Sequence, residues 1–240
     1  MTVHYAADAR VGRITIDRPE ARNALDLDHA KELRDQVKRA LGDHRSDVVL
    51  LTGEGPTFSV GSDREASMRA DDPTAYLLEI ATVFEEVFSA LADASKPIIA
   101  GIDGVVAGVG LGLVLSSDLS LASPSATFRV AAEDTVGTPD FGVSWLLPRA
   151  IGQQRALDLA MTQRTLDAET AENWGLVTAL SEPDDFEGQL ATFAARFIDA
   201  KAWGAGHTRR LLRSSWDSTR AQTSESEAVA MALPLLRGKY

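Results

Sequence analysis

Two short runs decide most of what this chain can become. VVLLT (Val48 to Thr52) and PIIAGI (Pro97 to Ile102) are rich in β-branched residues and carry no charge. A half-exposed strand alternates apolar with polar positions, so continuous runs like these predict strands buried on both faces. Pro97 opens its run, where a missing N–H is tolerated. RVGRITID (Arg10 to Asp17) does alternate, and also reads as a strand.

Helical patterns lie between them. Asp26 is placed to cap a helix starting near Leu27, whose stripe of Ala30, Leu33, Val37 and Leu41 stops at Gly42. A second helix is predicted from about Thr74 to Ala94, with Leu77, Ile80, Phe84, Val87 and Leu91 on one side. GEGPTFSVGSD reads as a glycine-rich loop, DLSLAS and the surroundings of Phe128 as short strands, and the chain beyond Gly142 as mostly helical. Trp145 and Trp174 read as core anchors. Strand–helix alternation followed by helices predicts one α/β domain, with no linker dividing it.

The chain has no cysteine, which excludes a disulfide framework, a thiolate nucleophile and a cysteine-held metal. His4, His29, His44 and His207 form no pair at ligand spacing. A formal net charge of −11 disfavours phosphate-dominated binding of nucleic acid. HTRRLLR (His207 to Arg213) is the best basic patch, readable as a small-anion site or as a solvated helix face. With no signal-like start and no apolar run of about 18 residues, a soluble, cytoplasmic protein without membrane contact is expected.

VVAGVGLGLVLSSD (Val105 to Asp118) places bare backbone after a buried strand. A Walker loop needs a lysine that is missing here, the spacing of Gly108, Gly110 and Gly112 is wrong for a dinucleotide fingerprint, and no G-x-S-x-G occurs. Two readings stay open on the residues alone. Either the glycines only permit close helix packing, or the stretch supplies one backbone N–H of an oxyanion hole whose second donor comes from FSVGSD (Phe58 to Asp63).

The motifs taken in order resemble the crotonase family, the enoyl-CoA hydratase/isomerase superfamily. They are RPEARNAL, FSVGSD, KPIIAGIDGVVAGVGLGLVLSSDLSLAS, FRVAAEDTVGTPDFGVSWLLPRAIG and TQRTLDAETAENWGLV, spanning about Val11 to Leu180. The resemblance implies a spiral of ββα units over residues 1–180 with a helical C-terminal extension over 181–240, shorter than usual and used for oligomerisation as a trimer or hexamer. It implies an acyl-CoA thioester as substrate, coenzyme A entering only as part of it, with no separate cofactor and no metal. The thioester oxygen would lie between the N–H groups of Ser62 and Val109. Arg22, Ala24, Ser62, Asp63, Arg64 and Glu65 would line the coenzyme A path, and Arg209 or Arg210 would reach its phosphates.

Departures from the family pattern narrow the chemistry. The two glutamates that hydratases of the family use for water fall at Gly112 and Ala132. Asp140, in TPDFG, stands where several family isomerases carry a functional aspartate. A dehalogenase of the family also has its aspartate there, but needs aromatic and histidine groups that VAAED lacks. The expected activity is therefore double-bond isomerisation through a thioester enolate, with Asp140 moving the proton. Two other readings are a family member that binds acyl-CoA with little or no catalysis, and a hydratase using displaced carboxylates such as Glu133 or Asp134. Without a role in catalysis, Asp140 would be a turn residue capping the next helix.

Overall fold

The computed structural model describes residues 2–132, 138–198 and 202–236. Strands β1 (Val3–Asp8) and β2 (Val11–Ile16) form an antiparallel hairpin, and α1 (Leu27–Gly42) follows. Asp26 caps α1 as expected, its carboxylate accepting from the His29 N–H. The hairpin adds a strand ahead of the one legible in RVGRITID.

Three turns of a spiral come next. In the first, β3 (Val48–Gly53) leads through a short turn to β4 (Thr57–Ser59), then to α2 (Arg64–Arg69) and α3 (Pro73–Ala92). In the second, β5 (Ile98–Ile102), β6 (Val105–Ala107) and α4 (Val109–Ser116) repeat the pattern. β7 (Leu119–Ala122), β8 (Thr127–Arg129), α5 (Val143–Ile151) and α6 (Gln153–Thr162) complete the third. The chain continues through β9 (Leu166–Asp167), α7 (Ala168–Trp174), β10 (Ala179–Leu180), α8 (Phe186–Ala195), α9 (Ala202–Ser214) and α10 (Arg220–Leu236).

The first strand of each turn enters a six-stranded sheet ordered β1-β2-β3-β5-β7-β10, parallel apart from β1. The second strand of each enters a smaller sheet ordered β4-β6-β8-β9. This is the ββα spiral expected above, with helices gathered at its C-terminal end. Burial explains the uncharged runs: Val49 and Leu51 of β3 face the main core, while Val48 and Leu50 face Leu190, Phe193 and Ala194 of α8. Because α8 covers the sheet, only α9 and α10 stand as an extension in packing terms.

Several local expectations are corrected. GEGPTFSVGSD contains β4, since Phe58 is fully buried and Thr57 pairs with Val105. Leu77 leaves the apolar face of α3 and is 49% exposed, because the first turns of that helix run past the core they would cover. Trp145 is 42% exposed; it sits two residues from both Val143 and Leu147, on the other face of α5. Its ring meets Trp216 edge-on at 5.1 Å, with the Arg149 guanidinium 3.9 Å above it. Trp174 is half-buried beneath Arg155 and Arg164. Helix α10 continues through Pro234 to Leu236, where a break at Leu233 is expected from the sequence; proline removes one N–H without ending the helix. Among the described residues no helix is long and apolar enough to cross a membrane.

Candidate active site

Two backbone segments meet at the N-terminus of α4. The first is the loop after β4, pinned to the RPEARNAL segment by a chain of bonds. Ser59 Oγ donates to the Asn23 carbonyl and accepts from the Gly61 N–H. The Val60 N–H donates to Arg22 O, the Leu25 N–H to Gly61 O, and the Asp63 N–H to Leu25 O. The last two make a parallel bridge between Leu25 and Ser62. Successive amides along an extended strand point to opposite edges, so Ser62 turns its own N–H away from Leu25.

The residue before Ser62, Gly61, lies against the start of α4. A Cβ added to Gly61 would stand 3.1 Å from the Val109 nitrogen and 3.0 Å from Ala107 O, so the two segments are in backbone contact. Gly61 (φ +100) and Gly108 (φ +54) adopt conformations that disfavour any side chain. Val109 is the first residue of α4, whose opening N–H groups have no intrahelical partner. Among the described residues neither the Ser62 N–H nor the Val109 N–H donates to a protein acceptor. Two orphan donors, one at the positive end of a helix, suit a developing negative charge on oxygen.

The other glycines of α4 answer to close approach. A side chain at Gly110 would stand 2.5 Å from Ser59 O, and one at Gly112 would stand 2.6 Å from Phe141 O and 3.1 Å from the Phe88 ring. The packing reading of the stretch is thus borne out at Gly110 and Gly112. The first glutamate position of the hydratase pattern is closed by backbone. Gly112→Glu should overpack this contact and lower the melting temperature by about 4–10 °C. A melting curve like that of the wild type would mean that the Phe141 segment yields freely.

Phe141 brings Asp140 here. Its carbonyl lies over Gly112, about 4.5 Å along the helix axis from Val109 at the usual rise per residue. Its φ of +46 is a strained value for a bulky residue, held by an edge-on contact with Phe84 at 5.0 Å between ring centres. The role of Asp140 as a helix cap is not what is found. Gly142 occupies the cap position of α5 with no side-chain cap bond, and Asp140 contributes its carbonyl to the Val143 N–H at 2.9 Å. The carboxyl is left with a bond from its own backbone N–H. Protein crowding strips hydration from it and pushes its pKa up to about 6, its own N–H pulling the other way. The residue is nonetheless exposed, so solvent screening opposes the shift, and its upward direction is what matters for chemistry. Ala132, at the second glutamate position, is half-buried, and Glu133 and Asp134 lie outside the described residues.

The remaining sequence candidates are placed as follows. Arg22 is exposed beside the site, with a left-handed backbone, and Ala24 is buried. Arg64 and Glu65 are exposed on the first turn of α2, where Glu65 pairs with Arg69. The Asp63 side chain is engaged in the fold, capping α2 through the Ala66 N–H and pairing with Arg18 at 3.0 Å. Arg209 is buried, its guanidinium held by Asp118 at 2.7 Å and by the carbonyls of Leu91, Ala92 and Ala94. That removes it from the phosphate contact expected of it; Arg210 stays exposed. Arg213 points the same way, to Asp118 and the Ser116 carbonyl. The basic patch therefore fastens α9 to the ends of α3 and α4. The groove between them, about 870 Å³, lies at the far end of α4 from Val109. Among the described residues no group of His, Asp and Glu is arranged to hold a metal ion.

Asn23 and Ser59 are absent from the sequence reading of the site. Asn23 is fully buried with φ +56, donating to Glu54 O and Thr57 O and accepting from the Arg18 N–H. An asparagine beside a turn was the available signal, since its side chain readily replaces backbone partners.

Comparison with known proteins finds relatives over most of the chain. The enoyl-CoA hydratase/isomerase family profile matches residues 6–231. A Mycobacterium leprae (strain TN) protein named a probable enoyl-CoA hydratase, echA12, is 34% identical over 87% of this chain and 73% of its own. The trans-2-decenoyl-[acyl-carrier-protein] isomerase of Streptococcus mutans is 31% identical over 95% of this chain and 87% of its own. A crystal structure from Thermobifida fusca YX, in complex with CoA, superposes with a TM-score of 0.88 at 28% identity, covering 98% of this chain and 93% of that one.

Proposed function

This chain belongs to the enoyl-CoA hydratase/isomerase family, and from that premise we propose that it isomerises the double bond of an enoyl-CoA thioester. The thioester oxygen sits between the Ser62 and Val109 N–H groups. Asp140, ionised, takes a proton from the carbon flanked by the carbonyl and the double bond of a β,γ-enoyl thioester. The electron pair moves onto the oxygen as a dienolate, which the two amides stabilise. The same carboxylic acid returns the proton at the γ carbon, leaving the α,β isomer and a carboxylate ready for the next turnover.

One observation carries this reading over hydration. The carbonyl of Phe141 occupies the space a glutamate at Gly112 would need, while the neighbouring Asp140 keeps its carboxyl free of capping duty. Hydration needs a base for water and an acid for carbon, and a 1,3-proton shift needs a single group used twice. The isomerase relative from Streptococcus mutans agrees with this choice. Coenzyme A is bound as part of the substrate along Arg22, Ala24 and Ser62–Glu65, with no further cofactor. Exposed Leu212, Val229 and Met231 on α9 and α10 give assembly into a trimer or hexamer an apolar surface to cover.

The test follows a β,γ-enoyl-CoA by the absorbance of the conjugated α,β product. Growth of that band supports the reading. A thermal shift with CoA esters but no turnover would favour a binding protein, and accumulation of a β-hydroxyacyl thioester would favour hydration by displaced carboxylates.

A further inference from the structure

The Ser62 amide is aimed by a bridge, and one half-buried cation holds both strands of that bridge. Arg18 Nη1 donates to Ala24 O at 3.0 Å, on the residue before Leu25, and to Asp63 Oδ2 at 3.0 Å, on the residue after Ser62. Asp26 Oδ2 lies 3.8 Å from the same nitrogen. The three side chains are 20%, 17% and 23% exposed, so the contacts are largely out of solvent. The other oxygen of Asp63 caps α2 at the Ala66 N–H, and the other oxygen of Asp26 caps α1 at the His29 N–H and meets the His29 ring. The backbone N–H of Arg18 is itself fixed on Asn23. Arg18 therefore ties the entrances of two helices to the one strand pair that presents Ser62, although it has no place in the oxyanion hole.

We infer that Arg18 is a positioning residue for the Ser62 donor, acting through Asp63 and Ala24. This rests on the isomerase reading above. An N–H stabilises an oxyanion only when aimed at it, and a misplacement of about 1 Å in such a group costs on the order of a hundredfold in rate. Without the cation, the carboxylates of Asp63 and Asp26 lose their shared counter-charge and the bridge loses its clamp. Ground-state contacts to coenzyme A along the same loop are less directional and should suffer less.

The experiment uses the full chain and two readouts, turnover and the absorbance of bound cinnamoyl-CoA. A conjugated thioester absorbs at longer wavelength when its carbonyl is polarised by hydrogen bonds. Wild type should shift the band to the red. Arg18→Gln should lower kcat by about 10- to 100-fold with KM little changed, and lose most of the red shift. Arg18→Lys, which keeps the charge but not the planar guanidinium, should recover part of both. Asp63→Asn should mimic Arg18→Gln, and the double variant should be no worse than either alone. A folded Arg18→Gln, or Arg18→Lys should Gln not fold, with the full wild-type red shift and kcat overturns the inference while leaving the isomerase reading standing. A wild type that binds cinnamoyl-CoA with no red shift overturns both.

Discussion

Asp140→Asn should reduce turnover of a β,γ-enoyl-CoA by about 10²- to 10⁴-fold while the thermal shift produced by the thioester stays as in wild type. The amide has nearly the shape of the acid, so the turn through the Val143 N–H and the strained backbone of Phe141 survive, since neither uses the side chain. What is lost is a group that can accept and return a proton. On the proposed mechanism the same residue should set the pH profile. The base must be ionised, so kcat should rise from acid toward neutral pH with a midpoint near the raised value of about 6. An unshifted aspartate would put that limb near its ordinary value of 3.8. The rising limb should vanish in the variant. Turnover unchanged by the substitution would end the role of Asp140, whatever the binding data show.

Val109→Pro should cost about 10²- to 10³-fold in kcat, the loss typical of one oxyanion donor. Proline is accepted at the first position of a helix because the N–H it lacks has no intrahelical partner there. At Val109 that missing N–H is the proposed donor. The residue is fully buried, so the variant loses some packing as well, and a melting curve must accompany the kinetics. Binding of the coenzyme A portion, proposed along Arg22, Ala24 and Ser62–Glu65, should change far less. A folded variant with wild-type kcat would remove Val109 from the mechanism and leave a single donor to hold the enolate.

Legibility in the sequence followed the range over which each signal acts. The buried strands of the larger sheet were readable because burial on both faces leaves an uncharged run in five or six adjacent residues, as in β3 and β5. The cap at Asp26 was readable because donor and acceptor are three residues apart. Periodicity failed at Leu77 and Trp145 for one reason: it names a helical face, but coverage depends on whether another element lies over it. The basic stretch around Arg209 failed similarly, since a run of arginines looks solvated until a distant Asp118 and three helix-end carbonyls supply partners. The clamp on Ser62 was invisible, because Arg18 and Asp63 meet across 45 residues.

By itself, then, the amino-acid order determined the strands that must be covered, the family resemblance with the ββα spiral it implies, and the absence of acidic residues at positions 112 and 132. Only the tertiary structure decided what those features meet: the Phe141 carbonyl over Gly112, the Gly61 backbone against the Val109 nitrogen, and a carboxyl at Asp140 left free by its turn. Strand and helix preferences are summed over neighbours in the chain and survive in a string of letters. A site is made by directions and distances between atoms that only packing brings together.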